Sequence, residues 1–213
     1  MREAASQPFD GWCELYESFS PLDLETGERW SRVPPPNTDL RRAAVLVPVL
    51  VESEEAWLIY TVRKDYLHDH AGQISFPGGN CGSEDDSLLE TALREAEEEI
   101  DLRPDLVEVI GKLEELYIST SRFLVTPFVG LLRQETELLL DSEEVEGIFS
   151  VSLEELMSPD SIKKVSWEHD GRPHEVAVFA IEGREIWGAT AAITAGLLAR
   201  LGWKAGGLLN KED

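Results

Sequence analysis

The sequence predicts a mixed α/β sandwich, on three observations. Apolar, β-branched runs of strand length recur between residues 41 and 181. Only two long segments carry an apolar stripe at helical spacing, 87–100 and 186–202. Strands outnumber helices and do not alternate with them one for one. That pattern excludes a regular β-α-β repeat and favours a mixed sheet covered by helices. With 213 residues, 42% of them hydrophobic, the chain is long enough for one moderate domain with a full core.

Each element follows in order. Residues 1–40 set Trp12 and Trp30 among acidic and polar residues, and PPPN at 34–37 interrupts any regular element. They read as an N-terminal arm, with room for a short helix, closing on a proline-rich linker. The domain proper is expected over 41–205, with 206–213 as an acidic polar tail. RRAAVLVPVLVE at 41–52 reads as a buried strand, SEEA as a turn and WLIYTVR at 57–63 as a second strand, giving a hairpin. After FPGG comes a helix from Ser87 to Ile100. Leu89, Ala92, Leu93, Ala96 and Ile100 form its apolar stripe, and Ser87 with Glu90 has capping-box spacing, with Asp85 or Asp86 as other candidate caps. LVEVIGKLEEL at 106–116, FLVTPFVGLLR at 123–133 and EGIFSVSL at 146–153 read as strands, and Ser152 with Glu155 opens a helical turn. Residues 162–181 read as a hairpin around Asp170-Gly171, a pair suited to positive φ. A last amphipathic helix ends at Gly202.

Charge narrows the partners. Nineteen basic residues face 42 acidic ones, a formal net charge of -23. Such a surface repels nucleic acid and anionic membranes, so neither is expected as a partner. It also repels an anionic substrate, which would need metal ions and a few local arginines to approach. Cys13 and Cys81 are too few for a disulfide framework. MREAASQPFDGW lacks the apolar core of a signal peptide, and no apolar run reaches bilayer length. A soluble cytoplasmic protein is expected; its oligomeric state stays open, a homodimer among the options.

The chemistry concentrates in GQISFPGGNCGSEDDSLLETALREAEEEI, residues 72–100. On a helix, Glu95, Glu98 and Glu99 stand at i, i+3 and i+4 and share one face, expected to turn away from the apolar stripe. Three carboxylates within one turn repel one another unless a cation neutralises them. An all-oxygen donor set suits Mg²⁺ or Mn²⁺. Glu97 points elsewhere, and Glu90 with Arg94 has the spacing of an i,i+4 ion pair. The plain alternative is a solvated acidic face. The Gly-Gly turn, the acidic loop and the Arg-Glu-x-x-Glu-Glu order on one helix weigh against it.

REAEEEIDL at 94–102 resembles the core of the Nudix box. LIYTVRKDYLHDHAGQISFPGG at 58–79 resembles the signature of one Nudix branch, the coenzyme A pyrophosphatases. RRAAVLVPV, VTPFVG and WGATAAI resemble the same branch, so the likeness spans roughly residues 40–200. It implies a Nudix-type α/β/α sandwich with a mixed sheet, the box forming loop–helix–loop. It implies hydrolysis of a nucleoside diphosphate linked to another group, with Mg²⁺ or Mn²⁺ as cofactor. Glu98 and Glu99 would be metal ligands. Glu95 would be a further ligand or would orient the attacking water, and the carbonyl of Gly79 would be an additional ligand. Arg63, with the backbone of Gly78 and Gly79, would meet the substrate. A loop carboxylate, Glu143 or Glu144, competes with Glu95 for the role of base.

Four positions depart from the pattern. Asp86 stands where the box expects glutamate, one residue further from Gly79, and Asp85 beside it is the better partner for Arg94. Asp101 replaces the glycine expected after the helix, where a left-handed residue is needed. His68 stands where the branch has arginine, and Lys64 where it has a small polar residue; His70 matches. The expected reaction is cleavage of coenzyme A or acyl-coenzyme A to adenosine 3′,5′-bisphosphate and a 4′-phosphopantetheine. ADP-ribose or a dinucleotide such as NADH is the neighbouring alternative, and a catalytically silent nucleotide-binding regulator the more distant one. His169 and His174, flanking the 170–171 turn, are expected at the surface.

Overall fold

In the computed structural model, which describes residues 1, 10–64, 72–132, 138–140 and 144–204, the run at 41–52 becomes the central strand of a large mixed sheet. The elements are α1 (Trp12–Ser18), β1 (Leu22–Asp23), β2 (Arg41–Glu52), β3 (Glu55–Arg63), β4 (Ile74–Ser75), β5 (Gly78–Asn80), α2 (Leu88–Ile100), β6 (Glu108–Lys112), β7 (Leu116–Ile118), β8 (Phe123–Leu132), β9 (Val145–Ser152), α3 (Leu153–Met157), β10 (Ile162–His169), β11 (Arg172–Ile181), β12 (Arg184–Ile186) and α4 (Gly188–Arg200). Among the described residues no helix is long and apolar enough to cross a membrane.

The β2–β3 hairpin forks. Next to its turn, Val49–Glu52 pair antiparallel with Glu55–Leu58. Further back, β2 pairs instead with β5, Ala43 to Asn80 and Val45 to Gly78. On the same side β3 takes β4, pairing Thr61 with Ser75 and Val62 with Ile74. The segment 74–80 thus fills the gap between the two arms. The other edge of β2 runs parallel with β8 from Arg41 to Leu50. β9 lies on the outer edge of β3, and β6 and β7 on the outer edge of β8.

The run at 106–116, expected as one strand, is two. β6 is bulged between Val109 and Gly111, and β7 begins only at Leu116. The break falls opposite Pro127 of β8, which has no N–H to offer a ladder. Leu113 bonds the Pro127 carbonyl there, 2.9 Å away.

β2 is buried on both faces, so it reads as a continuous apolar run. Ala43, Val47 and Val49 belong to one apolar cluster, Ala44 and Leu46 to the other. Helix α2 covers the second face with Ala92, Ala96 and Ile100. The first face is covered by α4, by α1 and by a smaller antiparallel sheet of β1, β11, β10 and β12. The result is the mixed α/β sandwich that the strand and helix pattern predicts, with helices on both faces of the large sheet.

The segment read as an N-terminal arm contributes to this core. Leu15, Tyr16 and Phe19 are buried in the larger cluster, and Phe19 stacks on Phe179 at 5.3 Å. Helix α1 packs against α4, where a Cβ on Gly196 would lie 2.7 Å from the Tyr16 ring. His169 is exposed as expected, but His174 is only 4% exposed. It stands on β11 beneath Trp30 and Trp167, with ring centroids 6.1 and 5.1 Å away. The alternation of β11 puts it on the side of Val176 and Val178, opposite the core-facing Ala177, Phe179 and Ile181, and the two tryptophan rings cover it there.

We predict that Phe19→Ala lowers unfolding free energy by about 3 kcal/mol, the ordinary cost of emptying a buried aromatic site. Urea titration measures it. An unchanged midpoint would show that residues before 20 add nothing to the core.

Candidate functional site

Helix α2 is set by its ends. The Glu90 amide donates to the Ser87 hydroxyl at 3.2 Å, so Ser87 is the cap. The Glu90 side chain reaches back to accept from the Asp86 amide at 2.8 Å. That use of Glu90 replaces the expected pair with Arg94. At the other end Asp101 adopts φ 54° and ψ 30°, the left-handed conformation that a glycine would supply. Aspartate enters this region more readily than most residues.

Arg94 looks instead to the loop. Its Nε and Nη2 donate to both oxygens of Asp85 at 2.9 and 3.0 Å. Asp85 also accepts from the Gly82 amide and the Thr91 hydroxyl, both at 2.9 Å. These donors, Arg94 foremost, hold the Asp85 carboxyl well below the usual carboxylate range. The remaining guanidinium N–H groups reach Glu95 and Glu98, each at 3.0 Å, and the Asn80 carbonyl at 3.5 Å.

The three box glutamates do not share one environment. Glu98 is exposed, Glu95 half-buried and Glu99 buried, with 5% exposure. Glu99 stands three residues after Ala96 and seven after Ala92, so it falls on the edge of the buried stripe rather than opposite it. That spacing was the available signal. Glu97 is exposed, as expected.

Glycines let the strand meet this helix. A Cβ on Gly79 would lie 2.5 to 2.7 Å from the Glu95 carboxyl group. A Cβ on Gly78 would lie 2.4 Å from the Ala44 carbonyl oxygen. Only a bare backbone passes between β2 and the Glu95 side chain. The Gly78 amide donates to Glu99. The second oxygen of Glu99, Oε2, is buried without a hydrogen-bond partner. Burial pushes the Glu99 carboxyl up to about 8; Arg63 opposes the rise, and Glu95 and Glu144 add to it. Burial also raises the Glu95 carboxyl, against the pull of Arg94.

Arg63 ends β3 on the helix side of the sheet. Its Nη1 stands 3.8 Å from Glu99 Oε1 and its Nη2 3.0 Å from Glu144 Oε2. The structure therefore joins Arg63, Glu95, Glu98, Glu99, Gly78 and Gly79 in one site and adds Glu144 to it. His68, His70 and Glu143 lie outside the described residues.

The donor set is oxygen throughout, which suits a hard divalent cation. The orphaned Glu99 Oε2 and the close pairing of Glu95 with Gly79 fit such an ion. Among the described residues, no three carboxylate, imidazole or thiol groups converge on one point as they stand. The reason is visible in the ion pairs: Arg94 draws Glu95 and Glu98 to one side, and Arg63 draws Glu99.

Comparison with known proteins identifies the family. Residues 40–170 match the family described as NUDIX domain. A protein of Yersinia pestis (strain Pestoides F), described as uncharacterized Nudix hydrolase NudL, is 42% identical over 153 residues, 72% of this chain and 76% of that protein. Its counterpart in Yersinia pseudotuberculosis serotype O:1b (strain IP 31758) is equally similar. Among solved structures, a MutT/nudix family protein from Enterococcus faecalis superposes with TM-score 0.54 at 13% identity, covering 84% of this chain and 71% of that one. At that identity the likeness is one of fold.

Two predictions follow from the carboxylates. Asp85→Asn costs about 2 kcal/mol at neutral pH, the scale of a lost charged hydrogen bond. Because the Asp85 carboxyl is depressed, its contribution is fully present above the ordinary carboxylate range and is lost as pH falls below that range, through the depressed folded value. Urea titrations should show the gap between variant and wild type beginning to narrow below about pH 4 and continuing to narrow as the acid is strengthened; a constant gap would refute the pairing. Glu99 has the opposite sign. Its raised carboxyl contributes stability below about 4.5 that is lost as pH rises through about 8. With EDTA present, Glu99→Gln should melt about 3 °C above wild type at pH 9 and match it at pH 5. Parallel melting curves at both pH values would sink this assignment.

Proposed function

The chain belongs to the NUDIX domain family, and from that premise we propose that it hydrolyses a phosphorus anhydride with a divalent metal ion. We take the substrate to be coenzyme A or acyl-coenzyme A, cut to adenosine 3′,5′-bisphosphate and (acyl-)4′-phosphopantetheine. Family hydrolases generally use ions such as Mg²⁺ or Mn²⁺. The observation that carries the reading is Glu99: a buried carboxyl with one unpartnered oxygen, beside Glu95 and the Gly-Gly backbone. A carboxylate so placed is costly in a fold with no cation to receive.

In this reading Glu95, Glu98, Glu99 and the Gly79 carbonyl hold the ion. A divalent ion there would offset charge on the nonbridging and leaving oxygens and make water a better nucleophile. The chain's own side chains do the placing. The Asp85–Arg94 pair pins the loop to the helix, and the Gly78 amide fixes one side of Glu99. Arg63 lies near enough to meet a phosphate oxygen of the substrate. Among the described residues, Glu95 and Glu144 are the candidates to take the water's proton as the P–O bond to the leaving phosphate breaks. The domain is 41–205 in this reading, with the N-terminal segment packed onto it. This reading takes the enzyme to act in the cytoplasm.

A second reading keeps the chemistry and changes the substrate to ADP-ribose or a dinucleotide. His68 favours it, because arginine would grip a phosphate in two-pronged fashion and histidine does not.

The protein should be incubated with Mn²⁺ or Mg²⁺ and coenzyme A, acetyl-coenzyme A, ADP-ribose or NADH, and the products identified by mass. Coenzyme A is expected to be cut fastest, and Glu98→Gln to slow it by about a hundredfold while remaining folded. Turnover of ADP-ribose alone would favour the second reading. No turnover by folded, metal-binding protein would leave a silent nucleotide-binding domain.

A further inference from the structure

We infer that Arg63 is an internal cation that competes with a divalent metal ion for Glu99. The inference rests on the metal-binding reading above and goes beyond it by giving Arg63 a role opposed to that of the ligands. Three observations carry it. First, Arg63 is shared between Glu99 and Glu144, carboxylates from different elements, at 3.8 and 3.0 Å. Second, the match with Glu99 is imperfect: Arg63 Nε and Glu99 Oε2 are both buried and without a hydrogen-bond partner. A guanidinium built only to hold Glu99 would present two N–H groups to its two oxygens, as Arg94 does to Asp85. Third, Arg63 has a second carboxylate to lean on, so leaving Glu99 does not strand it as a bare buried charge.

The alternative role for Arg63 is that of an orienting residue, which aims Glu99 and so assists metal binding. The two roles predict opposite signs. Removing a competing cation strengthens metal binding, whereas removing an orienting partner weakens it. A unit positive charge about 4 Å from a ligand oxygen, near a protein surface, opposes an incoming cation by enough to change affinity at least about tenfold.

The test is titration of the full chain with Mn²⁺ alone, read by electron paramagnetic resonance of the free ion or by calorimetry, with no substrate present. Arg63→Met removes the charge and keeps the stem; Arg63→Gln keeps a donor toward Glu144 and serves if the methionine variant does not fold. Either should bind Mn²⁺ about tenfold more tightly than wild type. Arg63→Lys keeps the charge and should bind as wild type does. Equal or weaker binding in the neutral variants overturns the inference and makes Arg63 an orienting residue. The underlying reading fails separately. If neither wild type nor the neutral Arg63 variants bind Mn²⁺, the metal site itself is wrong and Arg63 has nothing to compete with.

Discussion

The candidate site depends on one guanidinium group. Arg94 places a flat, two-pronged donor against Asp85 and still has N–H groups left for Glu95, Glu98 and the Asn80 carbonyl. A lysine at that position could not do this, because an ammonium group has no fixed fork. The Asp85 side chain is almost wholly buried, so without Arg94 it would be an uncompensated charge in the loop. With Arg94 in place, the loop after β5 is held against the middle of the helix. Glu95 is thereby brought over Gly79, and the acidic loop and acidic helix become one surface.

The forked hairpin explains why backbone, rather than side chains, lies beneath the helix. A hairpin whose arms stayed paired in the register set near the turn would present Leu46 and Thr61 to α2 as neighbours. Here the arms separate and β4 and β5 enter between them. The inserted segment must pass close to β2 on one side and to Glu95 on the other. Gly78 and Gly79 satisfy both demands, and any Cβ would violate one of them. Rigid strands thus hold a flexible residue type in one place, which is how a glycine pair can be a precise part of a site.

Much of this was legible in the sequence where periodicity had room to show. β2, β8 and β11 are ten residues or longer, and α2 has thirteen, so their apolar patterns are unambiguous. Helix α1 has seven residues, too few to display a stripe, and its buried Leu15 and Tyr16 stand among acidic neighbours. Tertiary packing on α4 makes it helical more than its own residues do. The β6–β7 break depends on Pro127, which belongs to another strand and cannot be read from residues 106–116. Helical spacing grouped Glu95, Glu98 and Glu99, but treating the group as one face hid the burial of Glu99. Glu144 could be named as a loop carboxylate and no more, because 45 residues separate it from Glu99 and only the β3–β9 pairing brings them together.

The electrostatics of the site complete the argument. Among the described residues around α2, the guanidinium groups of Arg63 and Arg94 pair with five carboxyl groups, those of Asp85, Glu95, Glu98, Glu99 and Glu144. Set within a chain of net charge -23, that group is a poor host for a diphosphate on side-chain charge alone. The same imbalance makes it a good host for a divalent cation, and burial sharpens the preference by removing water that would otherwise screen the carboxylates. On the proposed reading, an acidic substrate is accepted only if the cation comes first and reverses the local field. Glu99, deepest of the five and least satisfied, is where that reversal is worth most.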